Sequence, residues 1–146
     1  MPASIEIVIP VLNEERALGP SVVRLHAYLS ENLAQHDWRI LVADNGSTDD
    51  TPGVAARLAT DMGQVGYLRL EQRGRGRALR HAWLESDADI LAYMDVDLST
   101  DLASLPVIVE AIDTGGYDIA IGSRLAKGAT VIGRPPHREF ISQAYS

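Results

Sequence analysis

Ile5 to Pro10 (IEIVIP) is a short β-branched run closed by proline, a pattern that predicts a buried strand, and the polar Val11 to Glu15 stretch after it reads as a turn. From Ala17 to Leu33, apolar residues recur at Leu18, Val22, Leu25, Leu29 and Leu33, the three- or four-residue spacing of an amphipathic helix. Arg39 to Ala43 (RILVA) predicts a second strand, and Asp44 to Asp50 (DNGSTDD) gathers turn formers and hydrogen-bond acceptors. Thr51 and Pro52 look like an N-cap and first helical residue, opening a helix to about Met62. Gly66 to Leu70 reads as a third strand, and Arg73 to Arg77 (RGRGR) leads into a helix ending near Ser86. Asp89 to Met94 (DILAYM) is the fourth predicted strand, with DVDLSTD directly behind it. A helix over Asp101 to Asp113 and a fifth strand over Tyr117 to Ile121 follow. Gly122 to His137, rich in Gly and Pro, predicts a long mobile loop, and Arg138 to Ser146 the start of a helix.

Strands that alternate with helices and are apolar throughout imply an α/β fold, a parallel sheet covered on both faces. No internal repeat or low-complexity segment interrupts it. In open sheets of this kind ligands sit beyond the carboxyl ends of the strands. The polar clusters fall there: Asn13 and Glu14 after strand one, Asp44 after two, Asp95 and Asp97 after four. Three polar strand ends on one edge predict a cleft.

Composition narrows the partners. With 146 residues, 46% hydrophobic and 23% charged, the chain is long and apolar enough for one folded domain, 1–146, and unlike a disordered segment. Its 13 Lys and Arg against 20 Asp and Glu leave a net charge of −7, which argues against a general nucleic-acid surface. An acidic chain that binds phosphates must recruit a cation or place its few arginines carefully. The absence of cysteine excludes disulfides, thiolate metal sites and cysteine nucleophiles. No signal peptide is visible, and no apolar run approaches the roughly 20 residues needed to span a bilayer. The expectation is a soluble, cytoplasmic domain, associated with a membrane only through segments outside this chain.

Asp95, Asp97 and Ser99 alternate, so in an extended chain their side chains point the same way. Two close carboxylates repel unless one is protonated or a cation lies between them. Hard oxygen ligands at a strand end suit Mg2+ or Mn2+ with positions open for substrate phosphates. The competing assignment is that Asp97, Ser99 and Asp101 cap the next helix. Asp44, with Asn45, Gly46 and Ser47, stands where a carboxylate could accept a base N–H, or where an Asx turn closes on its own backbone. Asn13 and Glu14 could meet base or ribose, with Pro10 setting the exit from the strand, or Glu14 and Glu15 could be first-turn acids of the following helix. Arg73, Arg75, Arg77 and Arg80 form the one basic cluster, suited to phosphate or to a solvated helix start. The segment is neither a Walker loop nor a complete G-x-G-x-x-G fingerprint. His26, His36, His81 and His137 have no metal-like spacing. Arg124 follows strand five, and Arg138 and Ser142, four apart, would share a helical face; they could hold an anionic acceptor or pair with surface acids.

Taken together, IPVLNEE, VADNGSTDDT, RGRGRALRHA, MDVDLSTD and IGSR, in this order, resemble family 2 inverting glycosyltransferases of the GT-A fold, and among them the polyprenyl- and dolichol-phosphate sugar synthases. The likeness runs from Ile5 to Ser146 and implies the N-terminal portion of a longer catalytic domain, with 122–137 as an acceptor-side loop. It implies that Pro10, Asn13, Glu14 and Asp44 surround the nucleotide of a UDP- or GDP-sugar donor. Asp95 and Asp97 would be the catalytic pair at the diphosphate and the Mg2+ or Mn2+ ion. Arg124, Arg138 and Ser142 would meet a lipid-phosphate acceptor. The chain departs from the family at Leu12, where an aromatic is common, at Asn45, which replaces a second Asp, and at Ser99, where some members carry Gln. The function this implies is inverting transfer of a hexose to a polyprenyl phosphate. The alternatives are a nucleotide- and metal-binding fragment that turns nothing over, and, more remotely, a phospho-acceptor receiver module.

Overall fold

The computed structural model describes residues 2–99 and 101–121, and the backbone of 132–133. They form two compact units, Met1–Ser99 and Thr100–Ser146. The first holds β1 (Ser4–Val11), α1 (Leu18–Asn32), β2 (Asp37–Asp44), α2 (Thr51–Asp61), β3 (Val65–Arg69), α3 (Arg75–Glu85) and β4 (Ile90–Tyr93).

All four strands are parallel, in the order β3-β2-β1-β4. The register sets Val11 beside Asp44 and Asp44 beside Arg69, so β1, β2 and β3 end level. β4 stops at Tyr93, opposite Val8, and Met94 continues the ladder by donating its N–H to the Val8 carbonyl at 3.0 Å. Successive crossovers run outward from β1 to β3 and then return past β1 to β4. Between β1 and β4 the order reverses, and open α/β sheets bind ligands at such a switch point.

Alternation along the strands divides the core between two faces. Ile5, Ile7 and Ile9 of β1 share one face with Trp38, Ile40 and Val42 of β2, all buried. α1 lies on that side: its His26 meets the Trp38 ring edge-on at 5.1 Å, and Leu18, Val22, Leu25 and Leu29 are its buried stripe, as the spacing predicts. On the opposite face Val8 and Ala43 pack with Ala78 and Ala82 of α3, joined by Leu41, Leu68, Leu79 and Trp83. The small alanines let α3 lie close to the sheet. Glu6, on this second face, is buried, and its Oε2 pairs with Arg39 Nε at 3.1 Å. At the start of the sheet Asp89 Oδ2 accepts the Ser4 N–H at 2.9 Å, and this bond with the Ser4 hydroxyl lowers the Asp89 pKa.

Two expectations shift at the helix starts. Thr51 is the first residue of α2 rather than its cap, because its buried hydroxyl accepts the Glu14 N–H at 2.8 Å and donates to Asp49 Oδ1 at 2.5 Å. The helix predicted from Asp101 begins at Ser104, after a turn in which Asp101 Oδ1 accepts the Ala103 N–H at 3.0 Å.

The second unit contains α4 (Ser104–Asp113), β5 (Ala120–Ile121) and β6 (Ile132–Gly133). Leu105 and Val109 are the buried face of α4. The predicted fifth strand, 117–121, shrinks to two residues and does not join the parallel sheet; it pairs antiparallel with β6. A strand covered on both faces needs a continuous apolar run, whereas Asp118 interrupts this one and Ile119 is exposed. β6 falls inside the predicted 122–137 loop; the rest of that loop, and the helix predicted over 138–146, lie outside the described residues.

Candidate functional site: a cleft at the switch point between β1 and β4

A cleft of about 620 Å3 opens where the sheet order reverses, lined by Pro10 at the end of β1, Leu12 and Glu14 after it, Asn45 after β2, Gly74 and Arg75 at α3, and Asp95 and Asp97 after β4. Its size suits a small-molecule ligand. Among the described residues three carboxylates face it against one guanidinium, so these residues leave a diphosphate entering here short of positive charge.

The acidic pair sits on a turn, not on an extended strand as the alternation suggested. Leu98 donates its N–H to the Asp95 carbonyl at 2.9 Å, closing the chain over Val96 and Asp97. Burial still alternates, with Met94, Val96 and Leu98 inside and Asp97 and Ser99 exposed. Leu98 adopts φ 50°, an unfavourable conformation for a branched side chain that costs on the order of 1–3 kcal/mol. Burying its side chain contributes about 1.5–3 kcal/mol, a gain of the same order that offsets this cost. Asp97 Oδ1 accepts the Ser99 N–H at 3.0 Å, so it closes a local turn and does not cap α4, whose N-cap is Ala103. Asp95 Oδ1 accepts a hydrogen bond from Arg75 Nη2. Ser99 does not line the cleft.

These two acids fit a divalent cation of the magnesium or manganese type. Among the described residues no cluster of three or more Asp, Glu, His or Cys forms a cage. Such ions commonly take one or two carboxylates and complete their shell with water and substrate phosphates.

Asn13 and Asp44 are fixed in the loops after β1 and β2. Asn13, in the left-handed region at φ 54°, turns its Oδ1 to the N–H groups of Thr48 at 2.8 Å and Asp49 at 3.3 Å, while its own N–H donates to Ser47 Oγ. Glu15 and Asp50 exchange a further bond, Asp50 N–H to Glu15 Oε2 at 3.0 Å. The loop after β1 is thereby stitched to the loop after β2. The Asp44 carboxylate is fully buried: Oδ1 takes the Ser47 N–H at 3.1 Å and hydroxyl at 2.5 Å, and Oδ2 takes Arg69 Nη1 at 2.9 Å. Asp44 thus closes the loop onto the backbone three residues on and adds an ion pair. Burial opposes the charge of Arg69, but Glu71 and Asp44 outweigh it and raise the Arg69 pKa. Burial likewise raises that of Asp49, yet hydrogen bonds from Thr51 and Glu15 hold it below the usual carboxylate value.

Gly46 makes this turn possible at φ 82°, and a Cβ there would lie 3.2 Å from the Glu71 carbonyl oxygen. Gly46→Ala should therefore cost about 1–2 kcal/mol, read as a lowered urea midpoint; an unchanged midpoint would mean that the turn relaxes freely.

Two lining residues entered the sequence analysis only as a departure from the family pattern and as one member of a basic cluster. Asn45 is buried and its Oδ1 has no partner among the described residues. Arg75 alone of its cluster reaches the cleft, a distinction foreshadowed only by the glycines on either side of it. Arg124, Arg138 and Ser142, the predicted acceptor residues, lie outside the described residues, as does His137. His26, bonded to Gln64 at 2.9 Å, and His36, accepting the Ala3 N–H at 3.1 Å, serve packing.

Comparison with known proteins gives the family and the fold. Glycosyltransferase AglD of Haloferax volcanii is 35% identical over 143 residues, covering 97% of this chain and 23% of that protein. The dolichol-phosphate mannosyltransferase of Pyrococcus furiosus is 31% identical over 139 residues, covering 95% and 38%. The chain therefore spans well under half the length of either relative. Among solved structures, glucosyl-3-phosphoglycerate synthase from Mycobacterium tuberculosis, in complex with Mn2+, uridine diphosphate and glucosyl-3-phosphoglycerate, matches with a TM-score of 0.61 at 28% identity, over 83% of this chain and 43% of that one. The parallel sheet and its helices are those of GT-A glycosyltransferase structures. The pattern of the family described as "Glycosyl transferase family 2" matches residues 6–145, and the chain belongs to that family.

Proposed function

We propose that this chain forms the donor-binding part of an inverting hexosyltransferase, which moves a sugar from a UDP- or GDP-sugar to a polyprenyl phosphate. The observation that carries this reading is the convergence of Asp95, Asp97, Glu14 and Pro10 on one cleft at the switch point of the sheet. Support for the donor comes from the manganese and uridine diphosphate of the M. tuberculosis synthase, and for the acceptor from the dolichol phosphate in the name of the P. furiosus relative.

Asp95 and Asp97 would hold a divalent cation, which supplies a Lewis acid for the charge developing on the departing diphosphate. Pro10, Asn13, Glu14 and Asp44 would surround the nucleotide, with Asn13 and Asp44 also fixing the two loops. An acceptor phosphate oxygen attacks the anomeric carbon; the bond from that carbon to the diphosphate breaks, and its electron pair leaves with the nucleoside diphosphate. The attacking oxygen is already anionic, so no general base is needed. Arg124, Arg138 and Ser142 are proposed to meet the acceptor phosphate. No helix among the described residues is long and apolar enough to cross a membrane; with a lipid acceptor, we place the reaction at the cytoplasmic face of one.

A thermal-shift screen of UDP, GDP and their sugars, with and without Mn2+, tests donor binding. A ligand at about 100 times its Kd stabilises the folded state by about 2.7 kcal/mol. Stabilisation by one nucleotide that depends on Mn2+ is expected, and its absence with both would discard the proposal. Transfer of labelled sugar to polyprenyl phosphate then separates an active enzyme from a domain that only binds. A receiver module is disfavoured by topology, since the order 2-1-3-4-5 of such folds puts strand one between two and three, whereas here it lies between β2 and β4.

A further inference from the structure

The position of Arg75 calls for an explanation. It opens α3, where the helix dipole disfavours a cation, and no acidic residue stands in the first turn to offset it. What holds it comes from β4 and the turn after it. Its Nη2 donates to Asp95 Oδ1, and its guanidinium carbon lies 5.6 Å from the centroid of the Tyr93 ring. The pair is half exposed, at 53% for Arg75 and 43% for Asp95, so it is easily broken. Pairs of this kind shift an equilibrium by a factor of about five at most.

A guanidinium on Asp95 and a divalent cation on the same carboxylate repel each other. We infer that Arg75 is the exchangeable counter-ion of the acidic pair: it neutralises Asp95 while no divalent cation is bound, and is displaced onto the donor's diphosphate when cation and nucleotide enter. This rests on the proposed binding of metal and nucleotide by Asp95 and Asp97. The released side chain remains in the cleft with Gly74, at a helix start whose N–H groups and dipole favour an anion. A guanidinium fork also suits phosphate oxygens better than a single carboxylate oxygen does. One residue therefore opposes the metal alone and favours the metal with diphosphate.

Arg75→Gln should thus move two affinities in opposite directions. Mn2+ alone, followed by the electron paramagnetic resonance of the free ion, should bind the variant about three- to fivefold more tightly than the unsubstituted chain. UDP or GDP in saturating Mn2+, followed by calorimetry, should bind roughly tenfold more weakly. Arg75→Lys keeps the charge and should hold Mn2+ affinity within about twofold. A general loss of structure weakens both affinities and cannot tighten one. If the unsubstituted chain binds Mn2+ and nucleotide but Arg75→Gln leaves either affinity unmoved, the counter-ion assignment falls alone. If the unsubstituted chain binds no Mn2+ with or without nucleotide, the metal site and the counter-ion fall together.

Discussion

Asp97→Ala should abolish the Mn2+-dependent stabilisation by nucleoside diphosphate and lower sugar transfer by about 100-fold or more, the scale on which losing one preorganised contact to developing charge is felt. The side chain is exposed and its bond to the Ser99 N–H is local, so the unliganded protein should melt almost as before. Asp97→Asn sharpens the experiment. It keeps an oxygen for the Ser99 N–H and removes only the charge, so it should lose metal dependence as fully as alanine does. Transfer or metal-dependent binding that survives both substitutions would remove the acidic pair from the mechanism. A large drop in the melting point of Asp97→Asn without ligand would instead make the residue structural.

Ile7→Ala is expected to have the largest effect on stability, about 2–5 kcal/mol of unfolding free energy. Ile7 is fully buried in the middle of β1, with Ile40 beside it on β2 and Ala92 on β4. Alanine on one flank and a strand bonded on both sides leave little freedom to collapse onto the space, so most of the cavity should persist. Ile7→Val, which removes one methyl group, should cost about 0.5–1.5 kcal/mol. Urea unfolding of both variants provides the check, and a loss below about 1 kcal/mol for alanine would mean that the centre of the sheet repacks. The variant also bears on the site, because β1 carries Pro10 and Glu14 to the cleft.

Much of the fold was legible along the chain because its signals are local and periodic. The stripe from Leu18 to Leu29 and the apolar strands before Asn13, Asp44 and Asp95 depend on the residues themselves. The fifth strand misled because 117–121 is short and interrupted, so periodicity did not determine its partner. At the site, the residue types were readable but their partners were not. Asn13 and Asp44, read from the sequence as ligand contacts, also bind loop backbone and Arg69, partners that no local pattern names.

The sequence by itself determined an alternating α/β chain with carboxylates at strand ends, because burial periodicity and turn chemistry operate over a few residues. Only the tertiary structure decided that β4 lies beside β1, that Asn45 joins the cleft of Glu14, Asp95 and Asp97, and that Arg75 rather than Arg73, Arg77 or Arg80 faces them. Which charges meet depends on crossovers that bring together positions some 20 to 80 residues apart, and nothing in the local pattern at either end encodes the other.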